Sequence, residues 1–294
     1  MNDHASTHAS PALALFRQHF GQLQAQRRRT TLIGLALFAL CFVLAVHVGQ
    51  FDPARVAAGL PRIFEYIEKI LPELRAETFR DDMAYWFYGL PDWLALLWET
   101  VLMAYTATLL GTLGAVALCF FAAHNLSPGG WVYFVTRRVL EIARTIPDLV
   151  YALIFVFAFG LGPLAGILAI AIHSMGASGK LFAEAAENID MKPVDGLKGV
   201  GANWMQTMRY AVLPQVLPNF ASYTLWRFEL NVRTAAVMGF VGAGGIGQEL
   251  ITAIRMLYYE DVSALVLLIV ATVTCIDLLC EKVRHGFIGK ENLA

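Results

Sequence analysis

Apolar residues in this chain come in long blocks rather than at alternate positions or as narrow one-sided stripes. A bilayer core about 30 Å thick takes about 20 apolar residues per helix. Blocks of that size recur at residues 31–49, 94–123, 139–161, 164–182, 213–236 and 261–280. The pattern predicts six membrane-spanning helices. The first block follows Arg27, Arg28 and Arg29, as a secretory signal core would. It is long for such a core and no A-x-A-like site closes it, so it reads as a span. Pro147, inside the third block, is placed to kink that span or to mark its start.

Between the first two blocks, Val56, Leu60, Ile63, Phe64, Ile67, Leu71 and Leu74 recur at helical spacing, with Glu65, Glu68, Lys69 and Glu73 on the other face. This predicts an amphipathic helix, lying on the membrane surface or packed on the ends of the spans. Trp86, Phe87, Tyr88 and Trp93 follow, where an interfacial aromatic belt would sit. The expected organisation is an N-terminal tail (1–30), a first span (31–49), an outer segment (50–93), a five-span core (94–281) holding a polar loop (188–212), and a C-terminal tail (282–294).

Six spans put both ends on one side. With the N-terminus inside, the inner segments hold Arg17, Arg27, Arg28, Arg29, Arg137, Arg138, Lys180, Lys192, Lys198, Arg209, Lys282, Arg284 and Lys290. The outer ones hold only Arg55, Arg62, Lys69, Arg75, Arg80 and Arg255. The positive-inside rule therefore places both termini in the cytoplasm.

Composition agrees. Of 294 residues, 57% are hydrophobic and 15% charged, against about 25% charged in soluble domains. A net charge of −1 argues against a nucleic-acid-binding face. Cys41, Cys119, Cys275 and Cys280 lie inside apolar blocks and read as small buried hydrophobes, not as a disulfide framework or metal site.

The run 242–247 satisfies G-x-G-x-x-G, but it joins two predicted spans instead of following a strand. It reads as a tight turn with close backbone packing. Gly179-Lys180 resembles the end of a P-loop, yet Leu181 follows it and Ser174 stands where the first glycine belongs. His173-Ser174 has no G-x-S-x-G elbow. No catalytic residue and no bound metal are expected, and an intramembrane enzyme lacks a nucleophile. A secondary transporter usually shows two related halves, and no such repeat is visible.

The loop 188–212 is long for a connector between neighbouring helices. Counted back from Leu213-Pro214, it carries Ala211, then Gly201 after nine intervening residues, then Asp195-Gly196-Leu197. This register resembles the E-A-A-x3-G-x9-I-x-L-P signature of the membrane-spanning subunits of type I bacterial ABC importers, with a degenerate first triplet and Ala for Ile. Glu184-Ala185-Ala186 is out of register. Residues 137–147, 160–163, 212–218, 227–233 and 241–247 narrow the resemblance to permeases of phosphonate importers, the branch that includes phosphite carriers.

The resemblance implies an all-α fold with six spans and a cytoplasmic coupling helix, located in the bacterial inner membrane. It implies a second permease subunit, taken as an identical copy, two ATPase subunits that hold ATP and Mg²⁺, and an external binding protein. This chain would bind no cofactor itself. Asp195, Gly196, Leu197, Gly201, Ala211, Leu213 and Pro214 would contact or position the ATPase.

An ionisable residue in a span costs about 2.5–3.5 kcal/mol and is a functional candidate. Arg144, Asp148, Arg227, Glu229, Arg233 and, near the inner end of the sixth block, Asp277 are such residues, and the first five with Asn231 and His173 form the candidate translocation path. Arg227 lies roughly 20 Å along the helix from Pro214, near mid-membrane, and Arg233 close to the outer surface. Since i and i+2 point apart on a helix, Asp148 or a second subunit suits Arg227 better than Glu229 does. Two readings stay open: the arginines lend positive potential to an oxyanion path, or they pair within the bundle.

Overall fold

The computed structural model describes residues 11–73 and 75–288. Leu74 of the expected outer helix, Lys290 of the charge count and the ends of both tails lie outside the described residues. Among the described residues every regular element is helical.

The chain divides into two contact units between Ile67 and Glu68. In the first, α1 (Pro11–Val48) runs without a break through Arg27–Arg29 into the apolar block. Most of the expected N-terminal tail is therefore helix, because arginine, leucine and alanine are all good helix formers and nothing there ends one. The Asp52 carboxylate accepts from the Ala54 N–H at 2.9 Å and opens α2 (Pro53–Ile70), none of whose residues is buried.

The second unit contains α3 (Phe79–Trp86), α4 (Leu90–Ala122), α5 (Gly130–Thr145), α6 (Asp148–Phe159), α7 (Pro163–Glu187), α8 (Lys192–Gly199), α9 (Trp204–Thr207), α10 (Leu213–Met238), α11 (Ile246–Met256) and α12 (Tyr259–Ile288). Helices α1, α4, α7 and α12 are long and apolar enough to cross a bilayer singly. The bent pairs formed by α5 with α6, and by the α9–α10 run with α11, bring the number to six.

The third expected span is thus two helices bent by 87° at Pro147. Proline has no N–H for the helix ladder and holds the residue before it extended, and Ile146 has ψ 125°. Helix α11 is an element that the apolar blocks do not reveal. Helix α12 continues into the expected C-terminal tail. Trp93 is 4% exposed and packs inward, and the Trp86 indole donates to the Glu260 carbonyl and Ser263 hydroxyl. Of the expected aromatic belt, Tyr88 is exposed, with its hydroxyl on Asp261. Cys119 and Cys280 are buried, whereas Cys41 and Cys275 lie on exposed helix faces, a departure from the expectation for all four; none is in a disulfide.

Helix α7 is the axis of this unit and packs against α4, α5, α6 and α10. Its buried side is built from Ala165, Gly166, Ala169, Ser174, Gly176, Ser178, Gly179 and Ala183, and α4 answers with Ala104, Ala107, Gly111 and Ala115. Small residues let helix backbones approach closely where lipid offers no hydrophobic drive. Met103 lies against Gly166, Gly111 against Ser174, and the His124 N–H reaches Glu187, so α4 and α7 run parallel in fixed register, 63 residues apart. The α5–α6 arch returns the chain between them.

The glycine run closes the other end. Gly242 and Gly245 have φ of +77° and +73°, a region L side chains avoid. Gly239 and Gly247 face each other with no room for a Cβ on either. The Ile246 N–H bonds the Thr100 hydroxyl at 2.9 Å, and the Gly162 N–H bonds the Gly242 carbonyl at 3.0 Å. A helix precedes this run, so it is a packing turn, not a dinucleotide site.

A Cβ on Gly176 would lie 2.6 Å from the Arg144 nitrogen and 2.7 Å from the Leu140 carbonyl oxygen, which are backbone atoms and cannot swing aside. Gly176→Val should lower stability by about 1–3 kcal/mol through overpacking, seen as a lower Tm in detergent. Gly21→Ala, with open space around it, should leave Tm unchanged or slightly higher. An unchanged Tm in Gly176→Val would contradict the close α5–α7 contact.

Candidate functional site

The loop 188–212 is ordered helix by helix. The Asp190 carboxylate accepts from the N–H of Lys192, the first residue of α8, at 3.0 Å. Val194 is fully buried and Leu197 half-buried, while Asp195 and Gly196 are exposed. Gly201, at φ +86°, ends α8 in the left-handed conformation, its N–H on the Lys198 carbonyl and the Ala202 N–H on the Leu197 carbonyl. Asn203 and Gln206 close a reciprocal capping box on α9. A five-residue π-helical turn, Met208–Val212, then leads into α10.

Of the expected contact residues, Asp195, Gly196, Gly201 and Pro214 are exposed. Leu197 and Leu213 are half-buried and Ala211 is 3% exposed, so these three root the loop instead of presenting a surface. Val200, Met205 and Tyr210, exposed by 80%, 66% and 65%, add an apolar surface that the motif does not mark.

The fasteners of the loop also escape the motif. The Trp204 indole donates to the Leu126 carbonyl at 2.7 Å and stacks on Phe121 at 4.8 Å. Glu187 accepts from the His124 N–H at 2.8 Å and pairs with Arg137 at 3.1 Å, which knots α4, α5 and α7 together where the loop begins. The Gln215 amide bonds the Asp190 backbone. Only unusual polar residues beside a span hint at these in sequence, because their partners are mostly distant backbone groups.

Along α7, a cleft of about 280 Å³ is lined by Arg144, Ser178, Lys180, Glu184, Trp226 and Arg227 among others. Its three cations face one carboxylate, and Lys180 lies 3.6 Å from Glu184. Arg227 is held from behind. Its Nε donates to the Ser174 hydroxyl (3.1 Å), which donates to the Asn231 side-chain amide oxygen (3.0 Å). The Asn231 amide donates to the Thr108 hydroxyl (2.8 Å), which donates to the Ala104 carbonyl (2.6 Å). Every member of this buried chain is satisfied in one direction, which fixes the guanidinium.

Asp148, the expected partner of Arg227, acts on it electrostatically, while the direct hydrogen bond goes to Ser174. The His173 Nδ1–H donates to the Ile146 carbonyl at 3.2 Å and steadies the α5–α6 bend. Lys180 belongs to the cleft although the sequence reading counts it among flanking charges. The same criterion that selects Arg144 selects it, since it lies inside the fourth apolar block.

Glu229 and Arg233 are on a different face of α10. Arg233 pairs with Asp277, and Glu229, 7% exposed, pairs with Arg284 at 3.6 Å, both on α12. Asp277 is about 27 Å along α12 from Tyr259. Arg233 therefore sits toward the end of α12 that bears Arg284, not close to the outer surface. Depth counted from Pro214 misleads because Val216 and Phe220 of α10 pack with Val194, Met208 and Val212 in the loop cluster.

Among the described residues no group of three or more His, Cys, Asp or Glu could hold a metal ion. The arrangement offers an anion-compatible cleft and an exposed, well-rooted loop.

Comparison with known proteins agrees with this architecture. The phosphite transport system permease protein PtxC of Stutzerimonas stutzeri is 38% identical over 251 residues, 85% of this chain and 87% of that protein. The phosphate-import permease protein PhnE of Mycolicibacterium smegmatis is 35% identical over 236 residues, 80% of this chain and 42% of that protein. A chain of the inward-facing methionine ABC transporter MetNI shares the fold with a TM-score of 0.56 at 21% identity, covering 66% of this chain and 95% of that one. The family described as binding-protein-dependent transport system inner membrane component matches residues 115–281, more than half of the length. The chain belongs to that family and is a multi-pass membrane protein.

Proposed function

We propose that this chain is the permease subunit of an ATP-driven importer for a phosphorus oxyanion of the phosphite, phosphonate or phosphate class. The cleft formed by Arg144, Lys180 and Arg227 carries the reading. A compact, multiply charged oxyanion needs positive potential inside the low-dielectric core, and permease relatives bear names of phosphite and phosphate transport. The loop 188–212 is the contact for a separate ATPase subunit, which holds ATP and Mg²⁺. Both termini lie in the cytoplasm, an external binding protein delivers the ligand, and a second copy of the chain completes the path. Asp148 and His173 position the cleft, with Asn231 behind it. Glu229 and Arg233 serve the bundle through α12.

Two sets of variants in the reconstituted complex test this. Arg227→Gln and Lys180→Gln should lower uptake of radiolabelled phosphite, phosphonate or phosphate several-fold at unchanged yield of complex. Arg233→Gln should instead lower the yield of folded protein, and adding Asp277→Asn should restore part of it, since removing both members of a pair costs less than stranding one. Wild-type uptake of all three oxyanions by Arg227→Gln would remove the cleft from the path.

Gly201→Trp tests the loop. Gly201 is exposed and left-handed, so a bulky side chain there strains the α8 cap and stands in the contact surface. Membrane insertion should survive, while the ATPase detaches or loses its stimulation by loaded binding protein. Normal stimulated hydrolysis together with normal uptake would refute an ATPase contact at this loop.

A further inference from the structure

Besides the apolar packing of Val194, Met208 and Val212 with Val216 and Phe220, the loop reaches α10 by two routes of unequal stiffness. The covalent route from Asp190 to Gln215 runs through α8, the left-handed joint at Gly201, the single turn of α9 and the π-helical turn Met208–Val212. Each of these joints has irregular backbone bonding. π-Helical insertions and left-handed caps are places where a helix changes direction or register. A displacement of α8 carried only along this route would be absorbed in the joints.

The second route is a crossbar. The Gln215 side-chain oxygen accepts from the Asp190 N–H at 3.1 Å, and its nitrogen donates to the Asp190 carbonyl at 3.2 Å and to the Ala211 carbonyl at 2.7 Å. The amide orientation follows from the partners, because one is a donor and two are acceptors. Asp190 in turn holds the start of α8, its carboxylate accepting from the N–H of Lys192, the first residue of that helix. One side chain on the first turn of α10 thus grips both backbone polar groups of the residue that anchors α8, spanning 25 residues of sequence. It also holds Ala211, inside the π-helical turn, to α10.

We infer that Gln215 is a positioning residue for energy coupling: it ties α8 directly to α10, so that displacement of α8 by the ATPase moves the helix that carries Arg227. The inference rests on the reading of residues 188–212 as the ATPase contact. Gln215 lines an open groove of about 500 Å³ with Glu184, Asn188, Asp190, Asn219 and Tyr223. Loss of the crossbar therefore leaves no new buried void.

The experiment uses the complete transporter in proteoliposomes with its binding protein, and reads the ATP hydrolysed per oxyanion imported. Gln215→Leu removes all three hydrogen bonds and should raise that ratio about tenfold, within the range of coupling between linked sites. Gln215→Glu keeps the acceptor for the Asp190 N–H and loses both donors, so its ratio should fall between. Ser127→Ala removes a hydroxyl bond to the Gly129 carbonyl in the α4–α5 connection, outside residues 188–212 and away from the crossbar, and should keep the wild-type ratio.

A wild-type ratio in Gln215→Leu, while Gly201→Trp still uncouples, would overturn the crossbar and leave the loop contact standing. Wild-type ratios in both would overturn the loop contact as well. An equal rise in Ser127→Ala and Gln215→Leu would assign the effect to general loosening and overturn the inference. If Gln215→Leu does not assemble, Gln215→Glu decides: an intermediate ratio supports the crossbar and a wild-type ratio overturns it.

Discussion

Close packing around α7 is the constraint on which the rest of the core unit depends. Lipid tails are as apolar as leucine, so helices in a bilayer associate through van der Waals contact and a few polar links. A helix touched on several sides must then carry small residues on each of them. Gly111 against Ser174, Gly166 against Met103 and Gly176 against the backbone of Ala143 and Arg144 meet that demand. The parallel register of α4 and α7 follows, and with it the need for an antiparallel return, which the Pro147 bend turns into an arch. The cleft exists because the end of α5 is pressed onto α7 and brings Arg144 beside Lys180.

The intramembrane charges divide by face. Arg227 and Asn231 are four apart and share one side of α10, toward α7. Glu229 and Arg233 are also four apart and share another, toward α12. The two arginines of α10 therefore keep different company: Arg227 lines the cleft beside α7, and Arg233 pairs with α12. Insertion cost alone does not distinguish Arg227 from Glu229 and Arg233. The partners across the helix interfaces separate them.

What the sequence makes legible follows from the range of the signal. Apolar blocks report the spans, Pro147 reports the break, and the spacing from Gly201 to Pro214 reports the loop, since each is local along the chain. The depth of Arg233 is not legible, because Val216 and Phe220 look like the start of a span yet pack with the loop cluster. Helix α11 is hidden in the stretch after the glycine turn, being too short for a spanning block. Trp204, Glu187 and Gln215 are silent because their partners, Leu126, His124 and Asp190, offer mostly backbone atoms. A carbonyl or an N–H leaves no mark in an amino-acid sequence.

The two faces of α10 also limit how it can move. Rotation about its own axis would carry Arg227 away from Ser174 or Arg233 away from Asp277, and either step would strand a polar group in a low-dielectric interior. Sliding along α7 is blocked in another way, because Asn231 is bonded on two sides, to Ser174 and Thr108, in a chain with no spare partner. Packed interiors switch between discrete arrangements rather than deforming smoothly. A displacement entering α10 from the loop therefore carries α7 and α12 with it as one body. The give must occur at the joints outside that body: the Pro147 bend beside α7 and the glycine turn that follows α10.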